Sequence, residues 1–208
     1  MIFFKKEPIF LIKQILTDEE VVILPTDTIY GIMCLSSSDK AIHKIFKIKK
    51  RKPEKPLQLL VKNATSYLEK VKMSKRMREK LYNLPFTKTT FIFKNTEELS
   101  KNLGDYFKKL RTLGIRETSH SLLRKIIEIL DIPLAATSAN ISDEDYDEDK
   151  IIETFFDSVP LILIEGKKYN SYPSAVIEIV SETNIIIRRS NPILEHFKPF
   201  LKEFLIEE

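Results

Sequence analysis

Short apolar runs separated by polar, proline-containing stretches recur along the chain. Residues 21–24 form a continuous apolar run ended by Pro25, the pattern of a strand buried on both faces. A polar loop, Pro25 to Gly31, follows. Ser38 with Asp39 marks a helix start, and Ala41, Ile42, Ile45, Phe46 and Ile48 then share one helical face. Pro53 and Pro56 stop that helix, because proline lacks the backbone donor and clashes with the preceding turn. Further strands are predicted at 57–61, 89–93, 113–115, 133–137 and 161–164, and helices over 65–83 in two segments, 119–130 and 147–156. Residues 175–180 and 184–188 read as an antiparallel pair. Beyond Pro192, Phe197, Phe200, Leu201, Phe204 and Leu205 give a helical tail an apolar side, with a kink or restart expected at Pro199.

Strands that alternate with helices, joined by both crossovers and hairpins, predict an α/β fold of the α+β type. Its expected form is a twisted, open mixed β-sheet with helices packed on both faces. The 208 residues suit a single domain, 1–208, with 191–208 as its helical tail. Ligands in open sheets collect beyond the carboxyl ends of strands, and two polar loops, at Pro25–Gly31 and at Thr137–Asn140, follow predicted strands.

Composition narrows the chemistry. Hydrophobic residues make up 43% of the chain, enough for a sizeable core, and charged residues 31%. One cysteine, Cys34, forbids an internal disulfide and fits a reducing cytoplasm. The N-terminal apolar stretch is broken by Lys5, Lys6, Glu7 and Lys13, so neither a signal peptide nor a membrane span is expected. The four glycines match neither a Walker loop nor a dinucleotide fingerprint, and the three histidines with one cysteine make no zinc pattern, so no protein-bound metal is expected.

Four polar constellations remain. The loop Thr26, Asp27, Thr28 and Tyr30 offers hydroxyls and a carboxylate to a small zwitterion. Seven cations between Lys44 and Lys55, opposed by Glu54, could neutralise a triphosphate, line a nucleic-acid patch or form a solvated helix face. Thr137, Ser138, Ala139 and Asn140 present small donors and acceptors after a buried strand. Arg116 leaves an apolar strand and calls for an anionic partner, while Ser174 and Arg188 are expected on neighbouring strands. Each constellation alone also fits a turn, a cap or an ion pair.

Taken in order, these pieces resemble the YrdC-like threonylcarbamoyl-adenylate synthases. Pro25 to Gly31 is similar to the family's P-T-(E/D)-T-x-Y-G, Lys49 and Arg51 to its K-x-R, and residues 137–142 to its T-S-A-N-x-S. Residues 113–120 resemble its strand ending in an arginine and a histidine; Pro173 to Val176 and residues 185–190 resemble its closing motifs. The resemblance spans about 21–190, in a minimal form. It implies adenylation of a threonine-derived carbamate by ATP, with bicarbonate as co-substrate, Mg2+ on the ATP, and no organic cofactor. It implies catalytic roles for Lys49, Arg51, Ser138 and Asn140. ATP binding would add Lys55, Thr112 and Arg188, and threonine binding Thr28, Tyr30, Arg116, Ala136 and Ser174. The product would pass to a transferase that modifies adenosine 37 of tRNA, with tRNA or double-stranded RNA as a further contact.

Departures from the family pattern stand at Phe86, Asp143 and Ser190, each in place of glycine, and at Pro53, a displaced proline. They motivate one alternative, a paralogue with another substrate; the basic segment motivates a second, an RNA-binding module. The acidic residues 143–149 fit two readings, a segment that closes over the site or a solvated charge run, and solvation is the expectation for such a run.

Overall fold

The computed structural model describes residues 8–165 and 172–206. Lys5, Lys6, Glu7 and Gly166 lie outside them. Among the described residues nine strands form one sheet: β1 (Val22–Leu24), β2 (Gly31–Leu35), β3 (Gln58–Val61), β4 (Thr89–Lys94), β5 (Thr112–Glu117), β6 (Leu134–Ser138), β7 (Leu161–Ile162), β8 (Ala175–Ile179) and β9 (Ile185–Arg189). Their spatial order is β7-β1-β2-β6-β3-β5-β4-β8-β9. The β1/β7, β3/β5 and β4/β8 pairs are parallel and the other five antiparallel, so the sheet is mixed, as expected.

Alternate residues of the central strands feed two cores. Ile23, Ile32, Cys34, Leu59 and Phe91 join the larger one, together with Ile42 and Ile45 of α2 (Asp39–Ile48). It also takes in α3 (Thr65–Leu68) and α4 (Lys75–Tyr82) through Leu68, Met77 and Leu81. On the opposite face Val22, Leu24, Met33, Leu60 and Leu134 pack against Ile12 and Leu16 of α1 (Ile9–Thr17). They also meet Leu122, Leu123 and Ile126 of the later helix over Ser121–Leu130. Helices thus cover both faces. The second cover lies over β1, β2 and β6, where this smaller core is built. The same face of β4, β5 and β8 carries Thr90, Gly114, Arg116 and Val176 and lines an open cleft instead.

Several elements depart from the sequence reading. Strand β2 is buried throughout and pairs with both β1 and β6, yet its five residues follow the polar loop so closely that no separate strand is predicted. Helix α1 and the two short helices α5 (Glu97–Ser100) and α6 (Asp105–Lys109) are likewise additions. The Asp39 carboxylate fastens α6 by accepting from the backbone N–H groups of Asp105 and Tyr106 at 3.0 and 2.9 Å. Gly104 is required there, since a Cβ would sit 2.6 Å from Asp39 Oδ1. The predicted strand at 161–164 shortens to β7, and the helix at 147–156 to a 3-10 turn (Glu148–Lys150) plus α8 (Ile151–Phe155). With the helix over Ser121–Leu130 as α7, the tail is α9 (Pro192–Leu201), capped by Asn191. It runs through Pro199 rather than restarting there, and Phe200 is exposed while Leu201 and Phe204 are buried. Among the described residues no helix is long and apolar enough to cross a membrane.

Candidate active site

A cavity of about 450 Å³ lies on the uncovered face of the sheet. Its floor is built mid-strand, from Gln58 and Leu60 of β3, Thr90 and Ile92 of β4, and Gly114 and Arg116 of β5. The expected placement beyond strand ends therefore describes its rim. Loops after β1, α2 and β6 supply Thr28, Arg51 and Asn140, the last residue of β6 is Ser138, and Ser174 comes just before β8. Thr112, Tyr30 and Ala136 line it as well.

Arg116 is the buried cation of this floor. One guanidinium nitrogen donates to Thr28 Oγ1 at 2.7 Å, and Thr28 Oγ1 is in turn 3.0 Å from Thr26 Oγ1. The Nε of Arg116 and the Oδ2 of Asp27 are buried without a hydrogen-bond partner among the described residues. Burial lowers the Arg116 pKa, the Asp27 carboxylate raises it, and Arg189 lowers it. Asp27 itself is held by Thr118 Oγ1 at 2.7 Å and, through its backbone carbonyl, by Lys88. Across the floor Ser174, Thr90 and Gln58 form a hydrogen-bonded chain of 2.9 and 2.8 Å steps.

The other end is organised by Lys49. This residue is 1% exposed and lies beneath the loop after β6, where it does not line the cavity. Its ammonium donates to Ser138 O at 2.5 Å, to Asn140 O, and to Asn140 Oδ1 at 3.2 Å. Its own carbonyl accepts from Ser142 N at 2.9 Å. Burial, then the Arg51 charge, lower its pKa to about 7. Ser138 Oγ donates to Asn140 Oδ1 at 2.5 Å. Lys49, expected in a catalytic role, binds the loop that carries Ser138 and Asn140. Arg51 does reach the cleft. Its guanidinium is fixed by donations to Lys55 O at 2.6 Å and Pro56 O at 2.9 Å, and burial lowers its pKa.

Two further expectations change. Lys55 pairs with Asp143 outside the cavity. Arg188 turns to Glu178 at 2.7 Å and does not line the cavity; Arg189 does. The cause is a β-bulge. Ile187 pairs with Ile177 and Arg189 with Val176, so Arg188 is the extra residue, and strict alternation cannot identify it. Arg189 Nε donates to Ser174 O at 2.9 Å.

Residues missed by sequence reasoning complete the wall. Glu144, Asp145 and Tyr146 line the cavity, so this part of the acidic segment is not simply solvated. Asn140 Nδ2 donates to Glu144 O at 2.6 Å, and Tyr30 N donates to the Tyr146 hydroxyl at 3.0 Å. Burial pushes the Tyr146 pKa up to about 12. The substituted glycine positions are accommodated in different ways. Phe86 packs between Tyr82 and Phe91, with ring centroids 6.0 and 5.3 Å away, and leaves the cleft clear. Asp143 adopts φ 69°, the left-handed conformation for which glycine is suited and which aspartate tolerates better than most residues. Ser190 is exposed.

Residues 14–190 match the Sua5/YciO/YrdC family model, described as Telomere recombination. A Methanocaldococcus jannaschii protein provisionally named a threonylcarbamoyl-AMP synthase is 32% identical over 188 residues, covering 88% of this chain and 86% of that one. A mouse protein named Threonylcarbamoyl-AMP synthase is 32% identical over 126 residues, 60% of this chain; the matched region spans 43% of the mouse protein, less than half its length. Two solved structures share the fold. Sua5 of P. abyssi complexed with L-threonine has a TM-score of 0.80 at 22% identity, covering 96% of this chain and 58% of that one. E. coli YciO has a TM-score of 0.72 at 23% identity, covering 88% of each.

Proposed function

The chain belongs to the Sua5/YciO/YrdC family, and from that premise we propose that it makes threonylcarbamoyl-AMP and pyrophosphate from L-threonine, bicarbonate and ATP. The observation that carries this reading is one cavity joining two polar ends. One holds Thr28, Arg116 and Ser174; the other holds Arg51, Ser138 and Asn140.

The threonine amine and bicarbonate give a carbamate with loss of water. A carbamate oxygen attacks the α-phosphorus of ATP, the bond from that phosphorus to the bridging oxygen breaks, and pyrophosphate leaves with the electron pair. Such a transfer needs positioning and charge neutralisation more than a covalent nucleophile. Arg116, buried and with Nε unpaired, faces the threonine carboxylate, and Thr28 orients that guanidinium. Arg51 and Arg189 take the phosphates, with planar forks suited to their oxygens. Ser138 and Asn140 position the nucleotide, and Lys49 holds both in place from beneath. Thr112, Tyr30 and Ala136 shape the walls.

Mg2+ is assigned to the nucleotide. Glu144 and Asp145 are the carboxylates on the cavity wall, and no metal-holding group of three His, Cys, Asp or Glu occurs among the described residues. In this proposal the triphosphate and water would supply most of the ion's ligands, and the ion would neutralise phosphate charge. The same reading makes the protein a cytoplasmic nucleotidyltransferase. Its product serves a transferase acting on tRNA, and direct contact with tRNA or double-stranded RNA belongs to this proposal.

The alternative of a pure RNA-binding module drew on the cations between Lys44 and Lys55. They do not share one face: Lys44 pairs with Glu20 at 2.5 Å, Lys49 is buried, Arg51 lines the cleft and Lys55 pairs with Asp143. Purified protein given ATP, magnesium and bicarbonate should release pyrophosphate when L-threonine is added, with a product of threonylcarbamoyl-AMP mass. Release indifferent to threonine would favour a paralogue with another substrate; no release from folded protein would overturn the assignment.

A further inference from the structure

The loop after α2 and the loop after β6 are fastened to each other three times. Two fastenings are made by Lys49: its buried ammonium on Ser138 and Asn140, and its carbonyl on Ser142 N. The third is the ion pair of Lys55 with Asp143, whose side chains are 44% and 56% exposed. The exposed fastening is the weakest of the three, since water screens it. It is also placed where the chain turns, for Asp143 has φ 69° and leads directly into Glu144, Asp145 and Tyr146 on the cavity wall. Lys55 meanwhile accepts the Arg51 Nε donation through its carbonyl at 2.6 Å. One residue therefore touches both the strap and a cleft arginine.

We propose that the Lys55–Asp143 pair is the latch of a strap, residues 141–146, that closes one wall of the cleft, and that both are positioning residues for the nucleotide. This rests on the reaction assigned above. Asp143 combines two properties that glycine at this position would separate. It takes the left-handed turn, and it adds a carboxylate that reaches back to the opposite loop. Inward of the latch the strap is held by Asn140 Nδ2 on Glu144 O and by Tyr30 N on the Tyr146 hydroxyl. Opening the latch loosens the turn at Asp143 while leaving the Lys49 fastenings, on Ser142 among others, and the Asn140–Glu144 contact in place. Lys52 and Arg51 are the other cations acting on Asp143, and neither forms an ion pair with it among the described residues, so Lys55 is the partner to test.

The test is amide hydrogen exchange of a peptide covering 141–146, beside steady-state kinetics in ATP, for Lys55→Met, Asp143→Asn, their double variant and Lys55→Arg. Asparagine keeps the left-handed turn and removes the charge. Each single neutral variant should speed exchange by about two- to fivefold and raise KM for ATP by a similar factor without lowering kcat, as expected for losing an exposed pair. The double variant should go no further than the larger single effect, and Lys55→Arg should retain wild-type behaviour. Unchanged exchange, multiplying effects in the double variant, or failure of Lys55→Arg to retain would overturn the latch. Coupled exchange without pyrophosphate release supports the latch and overturns the assigned reaction; release with uncoupled exchange does the reverse.

Discussion

The ammonium of Lys49 sits 2.5 Å from the backbone carbonyl of Ser138, a residue 89 positions later in the chain. This contact joins two polar motifs into one site, because the same ammonium also takes Asn140 O and Asn140 Oδ1. Lys49→Met removes the three donors and leaves buried carbonyls without them, a loss of about 1–3 kcal/mol. The expected outcome is a cooperative but lower melting transition, with pyrophosphate release reduced at least tenfold. Wild-type turnover in this variant would remove Lys49 from the positioning role.

Lys49 also makes stability depend on pH. Its folded pKa is lowered to about 7, from an ordinary value of 10.5. Between these two pH values the unfolded chain holds more protons than the folded one, so this residue makes stability rise with pH across the interval. Below about pH 7 both states are protonated and the contribution is flat. Denaturant melts from pH 6 to 10 should therefore show wild-type stability gaining on Lys49→Met as pH increases. A difference between the two that does not change over that range would contradict the lowered pKa.

Adjacent arginines should behave in opposite ways. Arg189 lines the cavity and donates to Ser174 O, whereas Arg188 pairs with Glu178. Arg189→Ala should weaken ATP binding by about tenfold or more, as for a lost charged hydrogen bond. Arg188→Ala should bind ATP within about twofold of wild type, an exposed pair contributing little. Titration calorimetry with ATP decides between the two arginines.

This pair also marks where sequence reading reaches its limit. Periodicity identifies most strands because β1, β3, β4 and β6 are continuous or alternating apolar runs with proline or polar ends. Strand β2 escapes it because nothing separates Gly31 from the preceding loop. A bulge is invisible to period-two reasoning, so Arg188 is the natural choice until the register shift at Val176/Ile177 is known. The motif residues do converge, since Thr28, Arg51, Arg116, Ser138, Asn140 and Ser174 share a cavity. Which way a side chain points is another matter. Lys49 and Arg51 are two residues apart, yet one goes beneath a loop and the other into the cleft, with Lys50 between them in the left-handed conformation at φ 51°.

The backbone at Asp143 can be tested apart from its charge. With φ 69° the residue occupies a conformation that a Cβ-bearing, non-hydrogen-bonding side chain resists by about 1–2 kcal/mol. Asp143→Ala should melt lower than Asp143→Gly, although both lose the ion pair with Lys55. Equal melting temperatures for the alanine and glycine variants would show that the turn carries no such cost.

Arg116 gives the sharpest test of the threonine end. It is 3% exposed, its hydrogen bond goes to Thr28 Oγ1, and its Nε has no hydrogen-bond partner among the described residues. A buried cation satisfied this poorly is costly unless an anion completes it. Asp27 supplies part of the compensating charge, but Arg189 opposes it, so a ligand carboxylate would relieve the site. L-Threonine should accordingly raise the melting temperature of the wild-type protein, since a ligand that binds the folded state stabilises it by mass action. Arg116→Met keeps the apolar stem and removes the charge. Its ligand-free melting temperature should stay within about 4 °C of wild type, because loss of the Asp27 attraction and relief from burial and from Arg189 act in opposite directions. The threonine-induced shift should disappear. A shift that survives in Arg116→Met would place the threonine carboxylate elsewhere in the cavity. A large drop in ligand-free stability would mean that Arg116 is held chiefly by Asp27, as a structural ion pair.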